Sequence, residues 1–265
     1  MKFRAGLAMT VLLSLFSVAD PATATTQPVV AIYGDSMQTQ AYSYFWYDIQ
    51  QMSQPPKLDE HAWPGTAVCD WLTRMQQDAT TIHPKAVLLL FVGNDSTPCM
   101  QGDNQVTSAV AAQYSADLTT AITTFLTNGT ARIIVYAGPS YPVGSPLEQY
   151  ASAVRTAEHD AVSAFKSPKV LWINSARSVD TPGSNLFTLT RNCVPYEITH
   201  NLCTGPIINK IETNKVRIGD GHFCQWPWPK GFFCAGAWRY GNSQATALMK
   251  SFNWTPLPPT GESGN

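Results

Sequence analysis

Four short stretches of the chain, residues 29–33, 86–92, 132–137 and 170–173, are continuously apolar and rich in β-branched side chains. They do not alternate with polar positions, as a half-exposed strand would, so they predict strands buried on both faces. A weaker candidate covers residues 57–62. Between these runs the apolar positions recur at helical spacing over residues 39–52, 66–80, 106–128 and 147–165, and Asn128-Gly129 supplies a stop for the third helix. Strands that alternate with helices predict a parallel sheet built by right-handed crossovers and covered by helices on both sides. The aromatic stretch "YSYFWYD", residues 42–48, is expected to form the buried face of the first helix.

The pattern changes over residues 174–236. Four cysteines, Pro-Gly and Gly-Pro pairs and the cluster "FCQWPWPKGFF" predict a long, disulfide-braced excursion. A helical pattern resumes over residues 237–252 and closes the domain. Residues 255–265 form a Pro- and Gly-rich tail expected to be loose. No internal repeat and no second core is visible.

At the other end, Lys2 and Arg4 precede an apolar stretch from Leu7 to Val18 that gives way to Ala22-Thr23-Ala24. This reads as a signal peptide over residues 1–24, leaving one domain over residues 25–254. The stretch is shorter than the roughly 20 residues a membrane-spanning helix needs, and no later segment supplies such a run. The expectation is a secreted or extracytoplasmic protein without a stable membrane span. Six cysteines, all beyond residue 24, fit an oxidising compartment. Six cysteines allow 15 pairings. The pairs expected are Cys69 with Cys99, Cys193 with Cys203, and Cys224 with Cys234, the last two closing short loops. A metal is the rival use of these cysteines, but no Cys-x-x-Cys or tight Cys/His cluster supports one.

Charge removes another class of partner. Charged residues are 13% of the chain and the formal net charge is −1, with no basic stripe to neutralise phosphates, so a nucleic acid is not expected.

Ligands of a parallel α/β sheet gather outside the carboxyl ends of the strands. Ser36 follows the first strand, Gly65 in "HAWPGTAVCDW" the second, and Asn94 in "FVGNDS" the third, while "RIGDGHFC" brings Asp220 and His222 just ahead of the last helix. A serine hydroxyl is a weak nucleophile near neutral pH and needs a base, and that base needs a third group to hold its tautomer. Ser36, His222 and Asp220 match those roles. The oxyanion of acyl transfer needs preorganised donors, which the backbone N–H groups of Ser36 and Gly65 and the side-chain amide of Asn94 can supply.

With these four blocks in this order, the chain resembles the SGNH (GDSL) hydrolase family: Ser36 in "GDSM", Gly65 in "WPGTA", Asn94 in "VGND" and His222 in "GDGH". The resemblance spans about residues 29–250 and extends, in "GTAVCDW" and "TPCM", to exported, cysteine-containing actinobacterial-type members. It implies a flavodoxin-like three-layer sandwich, a serine mechanism with no metal or other cofactor, and ester hydrolysis or acyl transfer through an acyl-enzyme; the extracytoplasmic location points to a small-molecule, polysaccharide or lipid ester as substrate, and a monomer is expected. The acid and base, however, read Asp220-Gly221-His222, one residue closer than the family's usual Asp-x-x-His. That spacing keeps open a non-catalytic carbohydrate-binding protein on the same fold, and an O-acyltransferase stays open because it shares every early step with an esterase.

Structural readings compete at each position. Ser36 is also a natural helix cap, Gly65 a turn residue after Pro64, and Asn94-Asp95 an Asx turn. Asp35 is expected to bond nearby backbone N–H groups rather than to react. "EITH", residues 197–200, carries the acid-x-x-His spacing but sits inside the expected Cys193–Cys203 loop, and His222 is preferred by position. Trp226, Trp228, Phe232 and Phe233 are expected to pack the loop against the body. His61, His83 and His159 are expected on the surface or in packing.

Overall fold

The computed structural model describes residues 27–100, 106–145, 147–225 and 233–254. The expected signal peptide, the tail and the aromatics Trp226, Trp228 and Phe232 lie outside these residues. The described elements are β1 (Val29–Gly34), α1 (Ser36–Gln50), β2 (Lys57–Ala62), α2 (Val68–Thr81), β3 (Ala86–Leu90), α3 (Thr107–Thr127), β4 (Arg132–Tyr136), α4 (Glu148–Ala164), β5 (Val170–Ile173), β6 (Thr190–Asn192), α5 (Pro195–Thr199), β7 (Thr213–Lys215) and α6 (Ala235–Phe252). Short 3-10 turns at Pro98–Met100 and Ser175–Ser178 follow β3 and β5.

β1 to β5 form one sheet in the order β2-β1-β3-β4-β5, every pairing parallel. The continuous apolar runs are explained by its two covered faces. Val30 and Ile32 of β1, Leu88 and Leu90 of β3 and Ile134 and Tyr136 of β4 point into one core with Met37, Ala41 and Phe45 of α1 and Tyr240 and Leu248 of α6. The alternate residues Ala31, Tyr33, Val87, Leu89, Ile133 and Val135 enter the other core, filled by Met75 of α2, Leu118 and Ile122 of α3 and Val154 of α4. The period of two sorts each strand's side chains between the layers, giving the expected α/β three-layer sandwich. β2, "KLDEHA", is weakly apolar because it is an edge strand whose residues remain partly exposed.

Three expectations need correction. α1 begins at Ser36, three residues earlier than its apolar period suggests, because Asp35 caps it. The stretch 42–48 is buried only in part: Phe45 lies in the core, but Trp46 and Tyr47 are 46% and 60% exposed, since a helix cannot turn consecutive residues to one side. The excursion after β5 is more regular than a loop, carrying α5 and a two-stranded antiparallel ribbon of β6 and β7. The three disulfides are the expected ones, Cys69–Cys99, Cys193–Cys203 and Cys224–Cys234. Among the described residues no helix is long and apolar enough to cross a membrane.

Candidate active site

The carboxyl ends of β1, β2 and β3 deliver three loops to one edge of the sheet. At β1 the chain turns straight into α1. The Asp35 carboxylate accepts from the Met37 N–H at 2.9 Å, so Asp35, not Ser36, is the helix cap, and Ser36 becomes the first helical residue. First-turn N–H groups of a helix have no partner within it, which leaves the Ser36 backbone N–H free of the helix ladder.

Asp35 does more than cap. It is fully buried, and its second carboxylate oxygen accepts from the Val92 N–H at 2.8 Å and from Asn94 Nδ2 at 3.3 Å. The start of α1 is thereby tied to the loop after β3. Burial pushes the Asp35 carboxyl up to about 7, against the backbone donors from Met37 and Val92 that pull it down. Its folded value exceeds the unfolded one, so the native state holds this proton longer than the unfolded chain does, and stability falls as pH rises from about 4 to 7. Asp35→Asn, which cannot ionise, is expected to gain stability relative to the parent over that window, by roughly 2–4 kcal/mol once pH passes 7. Thermal midpoints of both proteins at pH 4 and pH 7.5 check this; a constant difference would contradict it. Burial also raises Glu60 to about 7, but Glu60 is common to both proteins and cancels in the difference.

The loop after β2 turns at Trp63–Thr66. Thr66 N donates to Trp63 O at 3.3 Å, and Pro64 and Gly65, the latter at φ +81°, hold the two central positions. This is the Pro-Gly pattern of a type II turn. Asn94 of the β3 loop faces it: Nδ2 donates to Thr66 O at 3.1 Å, and the Asn94 carbonyl accepts from Tyr114 Oη at 2.9 Å. Both hydrogens of the Asn94 amide are thus matched, one by Asp35 and one by Thr66. The Cys69–Cys99 disulfide joins the segments that follow these two loops.

His222 arrives from the far end of the chain. Its Nε2 lies 3.1 Å from Ser36 Oγ, although 186 residues separate the two. Asp220 Oδ1 accepts from the His222 backbone N–H at 2.9 Å and lies 3.3 Å from His222 Nδ1. The shortened spacing therefore still brings carboxylate and imidazole together, through Gly221 at φ +98°. The contact is long for an N–H···O bond, whose usual length is about 2.9 Å, and the Asp220 side chain is 62% exposed. "EITH" goes elsewhere. Glu197 is buried against the Arg239 guanidinium, and His200 is exposed and stacked on Tyr196.

Sequence reasoning missed Gln40. One turn after Ser36 on α1, its Oε1 accepts from the N–H groups of Phe223 and Cys224 at 2.9 and 3.4 Å, and its Nε2 donates to Cys224 O at 3.3 Å. The helix that carries the serine thus holds the backbone next to the histidine. The i, i+4 spacing of Ser36 and Gln40 was visible, but its backbone target was not. A cleft of about 300 Å³ opens here, lined by Ser36, Thr39, Gln40, Pro64, Asp220 and His222 among others.

His61 is less ordinary than expected. Its Nε2 lies 3.0 Å from Asp59 and 3.2 Å from Asp78, and Asp78 also accepts from Tyr33 Oη at 2.6 Å and Arg74 Nε at 2.8 Å. The donors suit a metal, but Arg74 already places a cation on the buried carboxylate. The other group of ligand type, Cys69, Asp70 and Cys99, has its sulfurs in a disulfide.

No protein-family model matches the chain, and no curated protein matches it in sequence. Solved structures do. A GDSL-like lipase from Bacteroides thetaiotaomicron superposes with a TM-score of 0.51 at 12% identity, over 84% of this chain and 88% of that one. A catalytic mutant of an acetylxylan esterase from Geobacillus stearothermophilus gives 0.52 at 12% identity, over 87% and 96%. The chain shares the fold of these esterases.

Proposed function

We propose that the protein is a secreted serine esterase of the SGNH (GDSL) type, cleaving carboxylic esters of small molecules, polysaccharides or lipids through an acyl-enzyme. One observation carries the reading: Ser36 Oγ and His222 Nε2 lie at hydrogen-bond distance, at the sheet edge where such folds bind ligands. With the ring proton on Nδ1, toward Asp220, Nε2 takes the Ser36 hydroxyl proton as Oγ bonds to the ester carbonyl carbon. The tetrahedral oxyanion collapses, the alkoxide leaves with the proton from Nε2, and Ser36 stays acylated. Water then repeats the sequence, losing its proton to Nε2, and the acid departs as Ser36 regains its hydrogen.

The oxyanion would be met by the N–H groups of Ser36 and Gly65 and by Asn94 Nδ2. Asn94 has to release an existing acceptor, and Thr66 O is the one to yield, because a bond to a charged oxygen outweighs one to a neutral carbonyl. The disulfides and the basic-then-apolar start of the chain support export.

A fluorophosphonate tests the reading. Oxidised wild-type protein is expected to be labelled at Ser36 and to hydrolyse p-nitrophenyl acetate, and folded Ser36→Ala to do neither. Folded wild type that is neither labelled nor active would overturn it.

A further inference from the structure

Arg217 is the largest fully buried side chain described, with none of its surface exposed. Burying a guanidinium is costly unless its charge is paired and its donors are used. Here both conditions are met, and the partners lie around the turn that carries His222. Nε donates to the Gly221 carbonyl at 2.7 Å, and Nη2 reaches the same oxygen and the Ser140 carbonyl at 2.9 Å. Nη1 lies 3.4 Å from Asp180, which is equally buried and whose carboxylate accepts from the Ser140 N–H and hydroxyl. The rings of Tyr141, Phe187 and Phe223 surround the guanidinium carbon at 5.2–5.8 Å.

The held carbonyl belongs to the residue between Asp220 and His222. Gly221 sits at φ +98° and packs so tightly that a Cβ there would lie 2.4 Å from the Tyr141 ring. Asp220 is mostly exposed and makes a long contact to the imidazole, so it is poorly placed to fix the ring unaided. Gln40 grips the chain after His222, and Arg217 grips it before. We infer that Arg217, aimed by Asp180, is a positioning residue that fixes the 220–222 turn and thereby the direction of the His222 ring. The inference rests on the esterase reading for its catalytic consequence, and on geometry alone for the order of the turn. The planar fork is what the site uses, since it serves two carbonyls and a carboxylate at once, which a lysine ammonium cannot do in the same plane.

The test is Arg217→Lys, which keeps the charge facing Asp180 and loses the fork. In folded protein, kcat for p-nitrophenyl acetate is expected to fall about 10- to 100-fold, with KM within about twofold, because an ångström of misplacement at a reacting group costs about that much. Combining Arg217→Lys with Asp220→Asn should cost less than the product of the single losses, since both act on the orientation of one ring. Amide exchange over residues 218–223 should quicken by about tenfold or more as the turn opens more often. If Arg217→Lys does not fold, Asp180→Asn takes its place: its single oxygen can keep the bonds to Ser140, while the charge and the acceptor that face Arg217 are both lost. Unchanged kcat, or fully multiplicative losses, would overturn the positioning role. Should wild type prove unreactive toward ester and fluorophosphonate, the esterase reading falls, and exchange alone decides: quickened exchange upholds the hold on the turn, and unchanged exchange ends it.

Discussion

His222→Ala is expected to lower kcat for a short p-nitrophenyl ester by about 10⁴-fold or more, and Asp220→Asn by only about 10- to 100-fold. His222 Nε2 is the base on Ser36 Oγ among the described residues, so without the imidazole the residual rate is expected to come from the oxyanion donors. The milder effect at Asp220 follows from its surroundings. A triad acid sealed from water forces the wrong tautomer when changed to the amide, at a cost near 10⁴. Asp220 is 62% exposed and 3.3 Å from Nδ1, so water can accept the Nδ1 hydrogen when Asn replaces it, and the backbone holds on Gly221 and Phe223 still aim the ring. Steady-state kcat and KM of both variants, with folding verified by circular dichroism, provide the measurement. Equal losses would mean that Asp220 carries far more of the orientation than its exposure allows, and no loss from Asp220→Asn would leave a Ser36–His222 dyad.

Gly236→Ala is expected to be among the most destabilising single-methyl additions in the molecule. Gly236 lies in the first turn of α6, and a Cβ there would sit 1.8 Å from the Val216 carbonyl oxygen and 3.0 Å from the Phe223 ring. The obstacle is backbone, and it cannot swing aside as a side chain would, because the Val216 N–H is bonded to Leu189 O at 2.9 Å and the next residue is the buried Arg217. Alanine normally favours a helix interior over glycine by about 1 kcal/mol, but overpacking against fixed backbone reverses the sign at roughly 3–5 kcal/mol. For a domain of this size that corresponds to a fall in Tm of about 10 °C or more. Differential scanning calorimetry measures it directly, and a Tm within about 2 °C of the parent would refute the close approach.

The sheet was legible because its central strands are buried on both faces, which leaves an uninterrupted apolar run that neither a loop nor a surface helix produces. β2 read weakly for the same reason in reverse, its Asp59, Glu60 and His61 being tolerated at an edge. The start of α1 lies ahead of the residue-39 expectation because its signal is chemical rather than periodic, a carboxylate at residue 35 that accepts from the Met37 N–H and opens the helix. The three-residue strands β6 and β7 are too short for any period to register. At the candidate site, chemistry and order single out Ser36, Asp220 and His222, and the structure sets His222 Nε2 at 3.1 Å from Ser36 Oγ and Nδ1 at 3.3 Å from Asp220. Gln40 and Arg217 stayed silent because they bond mainly to main-chain groups, at Phe223 and Cys224 for one and at Gly221 and Ser140 for the other, which leave no trace in residue identity, and the one carboxylate that faces Arg217, Asp180, lies 37 residues away. The cluster of Asp59, His61, Asp78 and Arg74 was hidden likewise, assembled from an edge strand and a helix that no pattern pairs.

Two of the covalent links lie beside the edge that carries the candidate residues. One fastens the segments beyond Gly65 and Asn94, and the other anchors the segment after His222 to the head of α6, where Gln40 and Tyr44 of α1 hydrogen-bond to its two cysteines. A fully thiol chain would keep the hydrogen bonds of Arg217 and Gln40 around His222 and of Asp35 to Asn94, and would lose the covalent closure beside them. On the proposed reading, oxidation reinforces an edge of the sheet that hydrogen bonds already assemble, so covalent closure adds endurance to the site rather than creating it.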